Sequence, residues 1–309
     1  VNLVITGASG YLGGRLVRAL SAAGHHVTPT GRSESAAAPG YRRLDVLHPP
    51  ALDEVLSGAE AVIHLASLDE REAAASPEQA LRVSGEGTRL VLESARRVGV
   101  KRVLFFSTFH VYGPRAPEAI TEDTATRAAH PYAIAHLTGE GFCREQNLKS
   151  ALPFATIIRL SNSYGCPVRR DVDRWSLAHN DFCRQAVTTG KIVLKGDGLA
   201  HRDFVWIDDV CRATGLLLQT PADGLGEGVF NLGAGTSLSV FELAQRVQLR
   251  AERHLGKPVP IERSTPPVGA TGTRVNFNID RLRSLGFSPR DGLDPETDAL
   301  LRLLQEDHA

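Results

Sequence analysis

Cysteine is scarce in this chain. The four that occur, Cys143, Cys166, Cys183 and Cys211, are scattered and include no C-x-x-C pair. That excludes a disulfide framework and a zinc-finger pattern, and points to reduced thiols in a cytoplasmic protein. Long apolar runs are missing too, so no segment reads as a membrane span. The opening VNLVITG lacks the basic start and the cleavage site of a secretory signal. Neither sign of charge dominates: Lys+Arg and Asp+Glu are both 35. This balance argues against nucleic acid or a membrane surface as a general partner. Methionine is absent altogether from the 309 residues, and nothing physical in the sequence accounts for it. What is present, 42% apolar and 23% charged residues, is ordinary for a globular chain with a sizeable core.

The first forty-five residues are the most informative. VNLVIT is β-branched and apolar, as a strand buried on both faces requires. GASGYLGG follows, then RLVRALSAAG with helical periodicity. Leu12, Leu16, Val17 and Leu20 form its stripe, and Gly24 stands at its end. HHVTPTG reads as a second strand. Gly7, Gly10 and Gly13 therefore fall in the first turn of a βαβ unit. Glycine there permits a tight turn and a close approach of backbone to a pyrophosphate, which the helix N-terminus then holds. The spacing is G-x-x-G-x-x-G, unlike the general dinucleotide fingerprint, but the strand–turn–helix context favours a dinucleotide over a bare turn. At the end of the second strand there is no acid to bond a ribose. Arg32 follows Gly31 instead, which favours NADP over NAD, unless Arg32 is only a solvated loop charge.

Alternation continues beyond that unit. AVIHLAS (61–67), KRVLFFST (101–108) and FATIIRL (154–160) read as strands, and TRLVLESARRVG (88–99) and PYAIAHLTGEGFCREQ (131–146) as helices. The class is α/β, with a doubly wound parallel sheet. SESAAAPG (33–40) reads as a short flexible loop.

Several segments, in order from end to end, are similar to one family. They are TGASGYLG (6–13), LDV (44–46), HLAS (64–67), STFHVYG (107–113), PYAIAH (131–136), RLSNSYG (159–165), HRDFVWIDDV (201–210), NLGAGTSLSVFELA (231–244) and NIDRLRSLGFSP (278–289). Together they resemble the extended short-chain dehydrogenase/reductases, in the branch of nucleotide-sugar epimerases, dehydratases and ketoreductases. The resemblance implies a Rossmann-type cofactor domain over 1–165, with 202–232 returning to it, and an interleaved, smaller substrate domain over 166–201 and 233–309. It implies NADP or NAD held by Gly7, Gly10, Tyr11, Leu12, Gly13, Arg32, Asp45, Val46, Leu65, Ala66 and Ser67. It also implies a nucleotide-sugar substrate and a homodimer formed through the helices at 88–99 and 131–146.

In that family a Tyr-x-x-x-Lys pair performs proton transfer. Here PYAIAH carries Tyr132 and, one turn later on the same helix face, His136. A tyrosine near pKa 10 is only about 0.1% ionised at pH 7, so it must be tuned by a nearby positive charge. Histidine, with a reference value of about 6.5, is mostly neutral there. By motif position Tyr132 is the acid/base, Thr108 polarises the substrate oxygen, and His136 replaces the lysine at the nicotinamide ribose. Substrate contacts fall on Thr108, His110, Asn162, Asn180, Arg202 and Arg274, the last standing in for a phosphate clamp replaced by PPVGATGTR (266–274). Arg202 could instead pair with Asp208 or Asp209, and His110 could pack under Tyr112 as a satisfied core histidine. The positions after the threonine carry Phe109 and His110, not the Asp–Glu pair of 4,6-dehydratases, which argues against dehydration. Ser84 takes the place of a usual asparagine, and PVRRDVDRW (167–175) is an unusual charged insertion at the expected pocket rim. The expected activity is 4-epimerisation or 4-keto reduction of a nucleotide-activated sugar. The competing readings are a nucleotide-sugar or dinucleotide binding protein with weakened catalysis, and a redox-neutral isomerase with His110 as base.

Overall fold

A computed structural model describes residues 1–33, 38–114, 119–265, 272 and 274–306. Half of SESAAAPG and most of PPVGATGTR lie outside the described residues.

In chain order the strands are β1 (Asn2–Thr6), β2 (His26–Gly31), β3 (Arg42–Arg43), β4 (Ala61–His64), β5 (Arg102–Thr108), β6 (Ala119–Ile120), β7 (Ala155–Leu160), β8 (Asn162–Tyr164), β9 (Ile192–Val193), β10 (His201–Trp206), β11 (Val229–Leu232), β12 (Ser237–Ser239), β13 (Ile261–Glu262) and β14 (Asn276–Phe277). Seven of them form one sheet in the order β11-β7-β5-β4-β1-β2-β3. Every pairing in it is parallel. The chain runs outward from β1 to β3, then crosses back to β4 on the other side. That reversal leaves a crevice at the carboxyl ends of β1 and β4, where open α/β sheets bind ligands.

Alternation along β1 explains the layers. Leu3 and Ile5 face one core with Leu16 and Leu20 of helix α1 (Tyr11–Ala22). Val4 faces the other, with Leu52 and Leu56 of α2 (Pro49–Leu56). Helices α3 (Glu70–Ala75) and α4 (Pro77–Ala80) lead through a π-helical turn, Leu81–Glu86, into α5 (Gly87–Arg97). Then come α6 (Pro131–Asn147), α7 (Ala178–Thr189), α8 (Ile207–Gln219), α9 (Val240–Leu255), α10 (Asp280–Ser284) and α11 (Leu293–Gln305). A third core joins α7, α9 and α11 through Phe182, Cys183, Leu243, Val247 and Leu300. A three-stranded sheet, β12-β10-β8, stands between this bundle and the large sheet.

The expected strand over 61–67 ends at His64. The Leu65 amide is shared between the Thr6 carbonyl at 3.3 Å and the Thr6 hydroxyl at 3.2 Å, and the Ala66 amide turns onto that hydroxyl at 3.3 Å, which ends the ladder. HRDFVW does not itself rejoin the large sheet. It pairs with β8 and β12, and the chain returns through α8, which packs on α1, and β11. Among the described residues no helix is long and apolar enough to cross a membrane.

Candidate active site

The crevice is a cavity of about 590 Å³. One end is the glycine turn. Gly7 has φ +69°, and a Cβ there would lie 2.9 Å from the Ala66 nitrogen. A Cβ on Gly13 would lie 2.3 Å from the Gly7 carbonyl oxygen and 2.6 Å from the Ala8 Cα. Only hydrogen fits at either place. Helix α1 begins at N-cap Gly10 with no side-chain cap, so its first-turn N–H groups remain available to an anion. Tyr11, Leu12, Arg32, Val46, Leu65, Ala66 and Ser67 line the same end. Asp45 does not: it is exposed, and its Oδ1 accepts from the Leu47 amide at 2.9 Å.

A histidine network fixes the floor. The Thr6 hydroxyl accepts the Leu65 and Ala66 amides and lies 2.7 Å from His64 Nδ1. His64 Nε2 lies 3.1 Å from the Thr88 hydroxyl, which donates to the Ser84 carbonyl at 2.7 Å. Since Thr88 has spent its proton on Ser84, His64 donates from Nε2 and accepts at Nδ1. Burial pushes His64 down to about 3, and the nearby His136 adds to this. His64 is therefore a neutral tie between the ends of β1 and β4.

The other end holds the expected chemistry. Thr108 ends β5, Tyr132 and His136 sit on α6, and all three line the cavity. Pro131 and the N-cap His130, whose Nδ1 accepts from the Ala133 amide at 3.5 Å, start α6. Thr108 Oγ1 accepts from the His110 amide at 3.3 Å, which leaves its proton to donate. The rings of Tyr132 and His136 are 4.5 Å apart at 61°. Burial pushes the Tyr132 hydroxyl up to about 12. Arg174 is the largest opposing influence, the Thr108 hydroxyl also lowers the value, and Glu70 and Asp69 raise it. His136 is 3% exposed, and neither ring nitrogen has a hydrogen-bond partner. Burial pushes it down to about 4, against smaller upward pulls from Glu140 and the nearby Phe106 backbone. It is neutral at pH 7 and supplies no positive charge to Tyr132.

His110 does not simply pack under Tyr112. Its Nε2 lies 2.8 Å from Glu70 Oε1, and its ring meets those of His130 at 5.2 Å and Tyr132 at 6.1 Å. The hydrogen bond to His110, the largest influence, holds the Glu70 carboxyl below its usual value. Asn162 and Arg202 line the cavity. Arg202 pairs with neither carboxylate proposed for it: Asp208 pairs with Arg15 and Asp209 with Arg212. Asn180 is buried in α7 with Oδ1 3.1 Å from His179 Nδ1, and Arg274 is exposed; neither lines the cavity. The charged insertion is tied down by ion pairs of Asp173 with Arg71 at 2.9 Å and Arg174 with Asp69 at 3.6 Å. Arg174 thereby reaches the cavity wall.

Beneath the site lies a buried charge that sequence reasoning missed. Glu140, wholly buried and one turn beyond His136, accepts from Arg159 Nε at 2.9 Å and Nη2 at 2.7 Å. It also accepts from the Ser107 hydroxyl at 2.7 Å. These bonds lock α6 to β5 and β7 and so set Tyr132 against Thr108. The signal available was a carboxylate on the buried face of α6, four residues after His136. No such signal existed for Glu70, which lies 40 positions from His110.

Residues 3–233 match the NAD dependent epimerase/dehydratase family. The chain belongs to that family. Within it lie the nucleotide-sugar enzymes of the extended short-chain dehydrogenase/reductases, and the fold is theirs. A UDP-glucose 4-epimerase of Bacillus subtilis is 26% identical, covering 94% of this chain and 93% of that one. A dTDP-glucose 4,6-dehydratase of Streptomyces niveus is also 26% identical, covering 95% of this chain and 90% of its own length. Both reactions are thus represented among the family's relatives of this chain. The structure of RMD from Pseudomonas aeruginosa complexed with NADPH superposes with a TM-score of 0.78, at 24% identity and 99% coverage of each chain. The residues present fit the family's dinucleotide: a cradle that any Cβ would fill, an uncapped helix N-terminus, and a cavity-lining His136 whose two buried ring nitrogens have no partner.

Proposed function

We propose that the protein is an NADP-dependent 4-ketoreductase of a nucleotide-activated sugar, with Tyr132 as its acid/base. One observation carries this reading: Thr108 and Tyr132 line the same cavity as the glycine turn. Gly7, Gly10 and Gly13 with the start of α1 take the pyrophosphate, and Leu65 to Ser67 lie under the cofactor. Arg32, at the end of β2, takes the 2′-phosphate. His136 would stand beside the nicotinamide ribose. When bound, the nicotinamide supplies the hydride. Thr108 and Tyr132 hold the ketone oxygen, and Tyr132 gives it a proton. A hydroxyl held at about 12 is protonated in all but about one side chain in 100,000 at pH 7. It is therefore in the protonated form that a donor to the ketone oxygen needs. Arg202 and Asn162 meet the nucleotide-sugar, Arg202 through its phosphates, a task suited to its planar fork. Asn180 and Arg274, outside the lining, have no part in this reading. An epimerase is the second reading, supported by the Bacillus subtilis relative.

The test combines two measurements. NADPH fluorescence titration should give saturable binding in both the wild type and Tyr132→Phe. Oxidation of NADPH by dTDP-4-keto-6-deoxyglucose, followed at 340 nm, should be lost in Tyr132→Phe. Full turnover by Tyr132→Phe refutes the assignment. Mass spectrometry finding one NAD(H) retained per purified chain would shift the reading to the epimerase.

A further inference from the structure

The mechanism above leaves one pair of side chains in the cavity unused. Glu70 starts α3 and His110 follows Thr108 by two residues, so two distant segments meet at 2.8 Å. Both line the cavity that Tyr132 and Thr108 line. With Nε2 donating to the carboxylate, Nδ1 is the ring nitrogen left over to accept. Among the described residues Nδ1 makes no hydrogen bond. A carboxylate that fixes the tautomer of an imidazole and balances the charge it acquires is the arrangement of a general base. Its position is also specific. The oxygen held by Thr108 and Tyr132 belongs to a carbonyl whose two neighbouring carbons are one bond further away. The His110 ring stands beside that of Tyr132, centroid to centroid 6.1 Å.

We propose that Glu70 and His110 form a second acid–base pair, which takes a proton from the carbon next to the carbonyl of a keto sugar. This rests on the proposed placement of the sugar carbonyl at Thr108 and Tyr132. In the step, His110 Nδ1 forms a bond to hydrogen as the C–H bond breaks. The C–H electron pair becomes that of an enolate, whose oxygen accepts from the Thr108 and Tyr132 hydroxyls. Glu70 stabilises the resulting imidazolium. Return of the proton, after exchange with water, restores the ketone. No oxidant is consumed. His110 is the catalytic residue of this step and Glu70 its positioning residue.

The experiment places the protein as purified in D₂O with dTDP-4-keto-6-deoxyglucose and no added nicotinamide. Deuterium entering the carbons beside the ketone is followed by proton NMR and mass spectrometry, and probe binding by saturation-transfer NMR. Wild type should exchange faster than buffer alone. His110→Gln should lose about 100-fold and Glu70→Gln about tenfold in rate, with probe affinity within about twofold for both. Circular dichroism checks each fold, and Glu70→Gln decides if His110→Gln does not fold. Exchange at the wild-type rate in folded His110→Gln overturns the proposal, as does binding without exchange. NADPH oxidation without exchange sinks this pair alone. Exchange without NADPH oxidation supports the pair and sinks only the reductase. A probe that does not bind overturns both.

Discussion

Restoring a lysine at position 136 tests how this site manages its proton. His136 is buried, neutral and unpartnered, with its ring 4.5 Å from that of Tyr132. An ammonium at roughly 5 Å, with an effective dielectric of about 20, would stabilise a phenolate by about 3 kcal/mol, or roughly two pK units. The Tyr132 hydroxyl would fall from about 12 to roughly 10, and the ionised fraction at pH 7 would rise about a hundredfold. Glu140, one turn along the same helix, offsets part of the cost of burying the new charge. The assay needs no substrate. There are five tyrosines, and burial raises each of the other four: Tyr11, Tyr41, Tyr112 and Tyr164. Alkaline titration at 295 nm should therefore show one tyrosine ionising earlier in His136→Lys than any does in wild type. Adding Tyr132→Phe should remove that step. Superimposable titration curves for wild type and a folded His136→Lys would refute the reasoning.

The remaining predictions concern stability. His64, His136 and His179 are held by burial at about 3, 4 and 4, all below 6.5. Each contributes stability that is complete above 6.5 and lost as pH falls through its folded value, at most about 5 kcal/mol for His64 and about 3 kcal/mol each for His136 and His179. Asp203, raised by burial to about 6, has the opposite sign: its contribution is lost as pH rises from 3.8 through 6, so it offsets one histidine of the three. The melting temperature should fall steadily between pH 6.5 and 4.5, and a flat profile there would contradict this. Glu140→Gln leaves the buried Arg159 without a counter-charge and should cost about 3 kcal/mol or more, lowering the melting temperature by roughly 5–10 °C. An unchanged calorimetric transition would show that the pair does not brace α6.

Much of the fold could be read along the chain because its causes are local. Apolar runs, the helical stripe of Leu16 and Leu20, and the glycines of the first turn are constraints on neighbouring residues. The elements at 2–6, 102–108 and 131–147 follow them closely. Departures came where a side chain from elsewhere intervened. β4 stops early because the Thr6 hydroxyl captures two amides, and HRDFVW joins the small sheet because β8 and β12 offer it partners.

The candidate site divides in the same way. The residues proposed to meet cofactor and sugar sit in short motifs, so Gly7, Thr108, Tyr132 and His136, all of which line the cavity, were nameable by position alone. Their chemical state was not. Packing holds His136 neutral even well below pH 7, since it removes both ring nitrogens from water without giving them partners. Only packing lifts Tyr132 to about 12, because burial there outweighs Arg174 and Thr108. The absence of a carboxylate pair after Thr108 was correct as sequence and incomplete as chemistry, because α3 brings Glu70 to His110 from another part of the chain. By itself the sequence determined the family, the layered α/β architecture and most of the residues that line the cavity. The tertiary structure decided their protonation and their partners, since desolvation and charge pairing depend on distances in space, not on spacing along the chain.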